Sequence, residues 1–255
     1  MAQAVFGSPI LALEGEQASL TTTASYLLLK PGFHEVKLYS ASQWRMALSP
    51  ALLHCLYYTA ATGVYVDYKT QATDRVSTTH VPLDAMLATD YLYLGTSDPV
   101  LGYYFNLDLT NFNDNAATLD MEYCSTAVAL GATLAFTDVA GTDADGTDTA
   151  GDTLKKPGVY TWGTTPTPDS TWKRSTLGTH AAPLYGKCYW IRFKPSATLS
   201  AAVDIIDLIP VYINTNYAYM EAGVEYEFSL NVAKVGGFLL KGTATQTLDV
   251  TWVRH

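Results

Sequence analysis

The segment CYWIRF, residues 188–193, decides the class of fold, because its large apolar side chains alternate along an extended chain. Tyr189, Ile191 and Phe193 share one face of such a strand, and Cys188 and Trp190 share the other. A strand that is apolar on both faces is covered on both sides. The segment therefore predicts a central strand of a β-sheet that is packed between two layers.

Other segments show the same period of two with one apolar and one polar face, which is typical of half-buried strands. The apolar faces are formed by Tyr226, Phe228, Leu230 and Val232; by Leu248, Val250 and Trp252; by Leu119, Met121 and Tyr123; by Tyr103, Phe105, Leu107 and Leu109; and by Val64, Val66 and Tyr68. Turn signals lie between them at Pro31-Gly32, Asp145-Gly146, Pro157-Gly158, Asn111–Asn115 and Gly236-Gly237. At least seven or eight strands are expected.

Only one segment, Ser42–Tyr58, has a helical pattern, with Ser49-Pro50 as a possible helix start before ALLHCLYY. No alternation of strands and helices runs along the chain, which argues against a parallel α/β fold. The predicted fold class is all-β: an antiparallel, jelly-roll-like β-sandwich with at most one short helix.

The chain of 255 residues is long enough for one large β domain or for two smaller ones. We expect residues 1–45 to form an N-terminal arm and first strand, and residues 46–208 to form the jelly-roll-like sandwich. Residues 209–255 are then C-terminal strands that complete or extend it. Thr137–Lys156, rich in Gly, Asp and Thr, predicts a long exposed loop within the sandwich.

Composition and charge exclude several classes of partner. The net charge is −9 without a basic cluster, so approach to a phosphate backbone is repulsive and no nucleic-acid partner is expected. Met46–Val66 is uncharged, but Pro50, Gly63 and its polar residues argue against a membrane span, and no membrane partner is expected. The N-terminus lacks the positive charge of a secretory signal, so export by that route is not expected.

The sequence offers no catalytic motif: no G-x-S-x-G, H-E-x-x-H, phosphate-binding loop or G-x-G-x-x-G is present. We therefore predict a protein that is not an enzyme, without catalytic residues, cofactor-binding residues, metal ligands or a cofactor. The five histidines are dispersed, and structural or surface roles are expected for His34, His54, His80, His180 and His255. Cys55, Cys124 and Cys188 are odd in number and widely spaced, which predicts reduced core residues.

Two carboxylate pairs and one acidic loop are the candidate sites of chemistry. Asp120 with Glu122, and Glu225 with Glu227, lie on the polar faces of their strands, which predicts solvated outer faces rather than a glycosidase pair. The acidic loop carries Asp138, Asp143, Asp145, Asp148 and Asp152. Its spacing departs from a calcium-binding loop, so an exposed, mobile segment without bound metal is predicted over 137–152.

Aromatic residues concentrate in two groups: Tyr57, Tyr58, Tyr65 and Tyr68, and the tryptophans Trp162, Trp172 and Trp190. Tyrosine and tryptophan rings fill sandwich cores and subunit interfaces, and they also stack on sugars. A core or interface role is favoured, and the sequence is also compatible with a sugar platform.

The middle of the chain resembles a β-sandwich module of tailed-phage virion proteins. The resemblance begins at Gly63–Leu109, which contains the D-x-L-Y-x-G step at Asp90, and continues through Asn115–Tyr123 and Asp145–Trp162. It closes with Ser170–Leu208, where the Trp172 turn and the step from Tyr189 to Ser200 are the most specific pieces. It covers roughly 60% of the chain.

The resemblance implies a jelly-roll-like protein of a phage particle, either on the capsid or on the tail. No coiled-coil or collagen-like segment precedes the module, which favours a compact capsid decoration or cement protein over a fibre. The expected partners are further copies of the chain, as a homo-oligomer and most simply a trimer, and the major capsid protein or other virion proteins. The expected location is the virion, after synthesis in the host cytoplasm. The alternative is a tail-associated receptor- or carbohydrate-binding protein.

The N-terminal 25 residues suggest where self-association occurs. Val5, Phe6, Ile10, Leu11 and Leu13 make an apolar patch without a core of its own, and such a stretch becomes ordered only by packing on another surface. We expect that surface to belong to an oligomer contact that uses the arm or the C-terminal strands. The alternative is that the arm is an edge strand of its own subunit.

Overall fold

A computed structural model describes most of the chain. The described residues are 12–22, 25–28, 33, 35–74, 76, 78–125, 134–138, 144–162, 171–177, 185–212, 218–229 and 235–254. These residues form twenty β-strands joined by turns. No helix in these ranges is long and apolar enough to cross a membrane.

The strands follow one another in chain order. The first ten are β1 Ala12–Leu20, β2 Ser25–Leu28, β3 Glu35–Tyr39, β4 Trp44–Pro50, β5 Leu52–Thr59, β6 Val64–Asp67, β7 Val81–Pro82, β8 Tyr91–Thr96, β9 Val100–Leu107 and β10 Leu119–Cys124. The others are β11 Phe136–Asp138, β12 Ala144–Asp145, β13 Gly158–Thr161, β14 Arg174–Leu177, β15 Tyr185–Pro195, β16 Asp204–Tyr212, β17 Ala218–Met220, β18 Glu225–Ser229, β19 Val235–Gly242 and β20 Gln246–Arg254.

The chain divides into two compact units. The terminal unit consists of Met1–Ser49 together with Thr215–His255, and the central unit is Pro50–Asn214. In chain order the central unit is therefore an insertion between β4 and β17.

The terminal unit has the strand order of a jelly roll. Its eight strands pair antiparallel from the outside inward: β1 with β20, β2 with β19, β3 with β18 and β4 with β17. They form two four-stranded sheets, of order β1-β20-β3-β18 and β17-β4-β19-β2. This is the arrangement produced when one long antiparallel hairpin is rolled into two facing sheets, the double-sheet architecture of jelly rolls.

Both sheets of the terminal unit contribute to one apolar core. Of the faces predicted for the C-terminal strands, the described members Tyr226, Phe228, Leu248, Val250 and Trp252 pack in this core, as does the apolar face of β3; Leu230 and Val232 lie outside the described residues. The buried members are Leu20, Leu27, Phe33, Val36, Leu38, Trp44, Met46, Met220, Phe238, Leu240, Leu248, Val250 and Trp252. The first and last strands of the chain are thus held together by burial of apolar side chains as well as by the β1–β20 ladder.

The terminal strands form a jelly roll of their own and do not only extend a central sandwich. The sequence analysis placed the jelly roll in residues 46–208, whereas the jelly-roll order belongs to the strands on either side of the insertion. The reason is the pairing of β1 with β20, which lie more than 200 residues apart and whose partnership is not encoded in either strand's own periodicity. From Ala12 onward the N-terminal segment is an edge strand of its own subunit. Residues 1–11, with most of the predicted apolar patch, lie outside the described residues.

The central unit is a second antiparallel sandwich. One sheet has seven strands in the order β11-β10-β15-β8-β5-β6, with β14 also paired to β15. The facing sheet has five strands in the order β12-β13-β9-β16-β7. Side chains from both sheets form the larger core, which includes Tyr103 and Phe105 of β9 and Ile191 and Phe193 of β15.

The prediction of a central, doubly covered strand at residues 188–193 is confirmed. β15 lies between β10 and β8 in the seven-stranded sheet. Tyr189, Ile191 and Phe193 point into the core between the sheets, and Cys188 and Trp190 belong to a second buried cluster on the opposite face. All three cysteines are free and buried, as predicted.

The prediction of a helix at Ser42–Tyr58 is wrong, because β4 and β5 occupy this segment. Trp44 and Met46 are buried while Arg45 and Ala47 are partly exposed, so burial alternates over the first four residues of β4. The run of tyrosines before Thr59 also suits a pleated strand better than a helix. The described residues contain no helix, in agreement with the predicted all-β fold class.

Candidate functional site

Two of the five histidines have defined surroundings within the described residues. The Nε2 atom of His80 lies 3.0 Å from Oδ1 of Asp204. His54 lies on β5, and burial lowers the pKa of its imidazole. His34, His180 and His255 lie outside the described residues. His54 lies on β5 of the seven-stranded sheet, whereas His80 immediately precedes β7 of the five-stranded sheet.

The acidic loop is only partly the exposed segment that was predicted. Thr147, Thr153 and Leu154 are fully buried, so its second half packs into the central unit. The Asp145 carboxylate accepts hydrogen bonds from the Thr147 amide at 2.8 Å and from the hydroxyls of Thr147 and Thr153. Asp143 lies outside the described residues. The prediction that this segment is exposed fails for Thr147 and Thr153, because a threonine hydroxyl that donates a hydrogen bond to a carboxylate can be buried.

Lys155 neutralises part of the same loop. Its ammonium group lies 3.5 Å from a carboxylate oxygen of Asp152 and 3.1 Å from one of Asp114. Asp148 accepts a hydrogen bond from the amide of Gly151 at 3.1 Å. Within the described ranges no group of three or more His, Cys, Asp or Glu side chains is arranged to hold a metal ion.

The two predicted carboxylate pairs have different surroundings. Glu225 and Glu227 are exposed, as predicted for a solvated face. Glu122 is buried instead, and the prediction of a solvated position is wrong for this residue. The Glu122 carboxylate forms ion pairs with the Arg192 guanidinium and, at 2.7 Å, with the Lys194 ammonium group. The register of β10 with β15, which places Glu122 opposite Arg192, brings these charges together.

Replacing Glu122 by Gln is expected to lower the free energy of unfolding by about 1–3 kcal/mol, because two cations lose their buried counter-charge. The matched control is Asp114→Asn, which removes the exposed partner of Lys155 and should change stability by less than about 1 kcal/mol. Urea unfolding of both variants measures the difference. Equal stability losses in the two variants would contradict a structural role for the buried ion pairs.

The predicted aromatic groups separate into core and surface. Trp162, Trp172 and Trp190 are all buried, so the tryptophans do not form a sugar platform. Trp172 donates to the carbonyl of Trp190 at 3.1 Å. Tyr57 and Tyr68 pack against the core between the sheets.

Tyr58 and Tyr65 lie on the opposite side of the seven-stranded sheet, within a larger aromatic surface. We name this surface the tyrosine face; it consists of Tyr58, Tyr65, Tyr91, Tyr93 and Tyr185 together with Phe136. The pairing of the strands brings these rings together, because Tyr58 is opposite both Tyr65 of β6 and Tyr91 of β8. Except for the buried Tyr93, these side chains are half-buried.

The rings of the tyrosine face contact one another directly. Ring centroids are 4.7 Å apart for Tyr58 and Tyr65, 5.8 Å for Tyr65 and Tyr93, and 5.7 Å for Tyr91 and Tyr93. Their interplanar angles are tilted, as aromatic quadrupoles prefer. Burial raises the pKa of Tyr65, Tyr93 and Tyr185, so these phenols are protonated at neutral pH. The face therefore consists of neutral aromatic rings that pack against one another.

Arg192 fixes one side of the tyrosine face. Its guanidinium lies 4.1 Å from the ring centre of Tyr91 and 4.5 Å from that of Phe136. Burial alone lowers the pKa of Arg192, but the hydrogen bond with Tyr93 and the charge of Glu122 outweigh it, so the pKa is raised. Arg192 thus remains charged while it holds two aromatic rings by cation–π contacts.

Gly95 allows close ring packing next to the face. The imidazole of His54 stacks on the indole of Trp190, with ring centroids 5.3 Å apart. Gly95 of β8 lies between these residues in the ladder. A Cβ atom at Gly95 would lie 2.6 Å from the sulfur of Cys188 and 3.0 Å from the Trp190 ring. Glycine is therefore required by the packing of Trp190 and not by an unusual backbone angle.

Sequence reasoning found Tyr58 and Tyr65 but missed the other members of the face. The spacing of Tyr91 and Tyr93 by two residues is the one feature of the sequence that indicates that both rings lie on the same face of a strand. Their position beside Tyr58 depends on the β5–β8 register, and that of Phe136 on the β10–β11 register. Neither register follows from periodicity.

Comparison with known proteins gave no relative: no family model, curated protein or solved structure matches the chain.

Proposed function

We propose that the chain is a non-enzymatic structural protein of a tailed-phage virion. In this proposal it is a capsid decoration or cement protein, made in the host cytoplasm, that binds the head shell as a homo-oligomer, most simply a trimer. Its partners are further copies of itself and the major capsid protein or other virion proteins. It acts by binding and has no cofactor.

The observation that carries the proposal is the jelly-roll order of the terminal unit. Viral capsid domains are among the proteins built on this double-sheet architecture. The support is an analogy between folds, because one fold can serve several functions. A second support is the resemblance of Gly63–Leu109, Asn115–Tyr123, Asp145–Trp162 and Ser170–Leu208 to a virion module; these segments belong to the central unit.

The tyrosine face supports a function based on association. Interfaces between proteins are enriched in tyrosine and depleted of charged side chains in their centres. On this face four half-buried tyrosines surround the buried Tyr93, and the nearby carboxylate of Glu122 is already paired with Arg192 and Lys194. The rings are held in place by one another, so little side-chain entropy is lost when a partner covers them. We assign the contact with the shell to this face.

Decoration stabilises a shell by linkage. A protein that binds only the assembled lattice lowers the free energy of that lattice by an amount set by its concentration and affinity. Heads that lack the chain are therefore expected to rupture at a lower temperature than heads to which purified chain is added. Differential scanning calorimetry of heads with increasing chain concentration measures this shift.

The tyrosine face gives this experiment a matched pair of variants. Tyr65→Lys places a charge within the face and is expected to weaken binding to heads at least about tenfold. Tyr219, which is 62% exposed and belongs to the other unit, provides the control Tyr219→Lys, which should bind like the unchanged chain. Equal binding by the two variants, with both folded, would contradict the assignment of the shell contact.

The second candidate function is carbohydrate binding at the tail. Lectins also use jelly rolls, and half-exposed tyrosine rings are surfaces on which sugars stack. A glycan array distinguishes the two functions. Binding to a defined glycan that is lost in Tyr65→Lys, without any rise in the rupture temperature of heads, supports the receptor-binding alternative and contradicts decoration.

A further inference from the structure

The hairpin of β14 and β15 carries positive charge on an acidic protein. Its described residues 171–177 and 185–190 contain Lys173, Arg174 and Lys187 and no acidic residue, whereas the chain has a net charge of −9. We name the hairpin that carries these three side chains the basic hairpin. Arg174 and Lys187 are exposed, and both point to the side of β15 that carries Tyr189.

The geometry of the basic hairpin is fixed by contacts within the hairpin. Arg174 is paired with Tyr189 in the ladder, and its guanidinium lies 5.6 Å from the Tyr189 ring centre. The same guanidinium donates to the carbonyl of Lys187 at 3.4 Å. The two exposed cations therefore lie on neighbouring strands at positions that are diagonal to each other in the ladder, about 7–8 Å apart.

A surface of opposite charge lies on the terminal unit. On the sheet β1-β20-β3-β18, the residues between the inward-pointing ones form its outer face. One row of this face places Glu225, Tyr39 and Asp249 side by side on β18, β3 and β20. All three are exposed, and Glu227 lies two residues further along β18. We name these four residues the acidic row.

The acidic row retains negative charge after its internal pairing. Lys37 lies 3.0 Å from a carboxylate oxygen of Glu227, so one acidic group is neutralised within the subunit. The Asp249 carboxylate accepts a neutral hydrogen bond from Gln17 at 2.8 Å, which leaves its charge. Glu225 and Asp249 flank Tyr39 on either side, about 10 Å apart at the backbone over two strand spacings.

We propose that the basic hairpin docks on the acidic row of a second copy of this chain. This inference rests on the proposed self-association and names the two surfaces that form it. Charge complementarity identifies the occupant: two exposed cations on adjacent strands face two carboxylates that flank an aromatic ring suited to cation–π contact. The N-terminal and C-terminal strands β1, β3 and β20 thereby take part in the oligomer contact.

The contact joins two different surfaces, so it is heterologous. A heterologous contact repeated between copies closes into a ring when the rotation between neighbours allows it, and a trimer is the smallest ring beyond a dimer. Because copies with a net charge of −9 repel one another, association depends on this local pairing and weakens when salt screens it.

The test uses charge reversal on each surface and on both. The double variants Arg174→Glu/Lys187→Glu and Glu225→Lys/Asp249→Lys are each expected to be monomeric in sedimentation velocity, under conditions in which the unchanged chain is an oligomer. The variant that carries all four substitutions is expected to regain the oligomer. Lys69→Glu/Lys156→Glu reverses two exposed cations outside the hairpin and should leave the oligomer intact.

Thermal unfolding establishes whether each variant is folded. If a charge-reversal variant does not fold, a charge-neutralising variant of the same surface takes its place: Arg174→Ser/Lys187→Ser for the basic hairpin, and Glu225→Gln/Asp249→Asn for the acidic row. An oligomer that persists in both double variants overturns this inference alone and leaves the proposed function standing. Loss without recovery in the fourfold variant also overturns it. A monomeric unchanged chain at all concentrations overturns both this inference and the proposed self-association, whereas shell stabilisation is tested separately with heads.

Discussion

Replacing Phe193 by Ala is expected to lower the free energy of unfolding of the central unit by about 3–5 kcal/mol. The Phe193 ring is 1% exposed and lies at the centre of the core between the two sheets. It contacts Tyr103, Phe105 and Tyr160 of the facing sheet edge-to-face, with ring centroids 6.0, 5.3 and 5.4 Å away. Removal of the ring leaves a cavity surrounded by three other rings that cannot all move to fill it.

Urea unfolding gives the overall change, and native-state hydrogen exchange of the β15 amides assigns it to the central unit. The control Phe136→Ala removes a half-buried phenylalanine from the opposite face of the same sheet, and its effect should be clearly smaller. A loss below about 1 kcal/mol for Phe193→Ala would mean that β15 is not the central strand of the sandwich.

Replacing Asn113 by Ala is expected to cost about 2–4 kcal/mol, since several buried polar groups lose their partners at once. The fully buried side-chain amide donates to the carbonyls of Asn115 and Thr153 at 2.9 and 3.1 Å. Its oxygen accepts from the backbone amides of Asn115 and Ser200 at 3.1 and 3.0 Å. One side chain thus joins three separate loops of the central unit.

The matched control for this prediction is Asn115→Ala. Asn115 is exposed, and its side-chain amide donates to the carbonyl of Thr198 at 3.0 Å. Water can replace that bond, so the loss should stay below about 1 kcal/mol. Urea unfolding of the two variants in parallel measures both effects. Indistinguishable midpoints would show that Asn113 does not organise these loops.

Local alternation was sufficient to predict the strands that face a core. The two faces of β15 were predicted from residues 188–193 alone, because a period of two along an apolar strand has one geometric meaning. The same reasoning does not identify the structure of Ser42–Tyr58, where the pattern predicts a helix but two strands meet near Pro50. Short apolar runs are ambiguous between helix and strand, and tertiary pairing decides between them.

Long-range pairing could not be predicted. The jelly roll depends on partners at opposite ends of the chain, such as Ala18 with Leu248, and the central unit separates them in sequence. The prediction of the candidate site was incomplete for the same reason, because it also depends on pairing between strands. Glu122 was expected in solvent because its own strand is polar on that face, whereas Arg192 and Lys194 of the next strand cover it.

A cryo-electron microscopy map of the phage particle in which we propose that the chain assembles tests the central claim most directly. The proposal predicts symmetric density on the outside of the head shell, into which several copies of the two-unit chain fit with the tyrosine face against the capsid lattice. Neighbouring copies should contact one another through the basic hairpin and the acidic row. A map of the whole particle without the chain on the head, or with the chain only at the tail tip, would contradict the account.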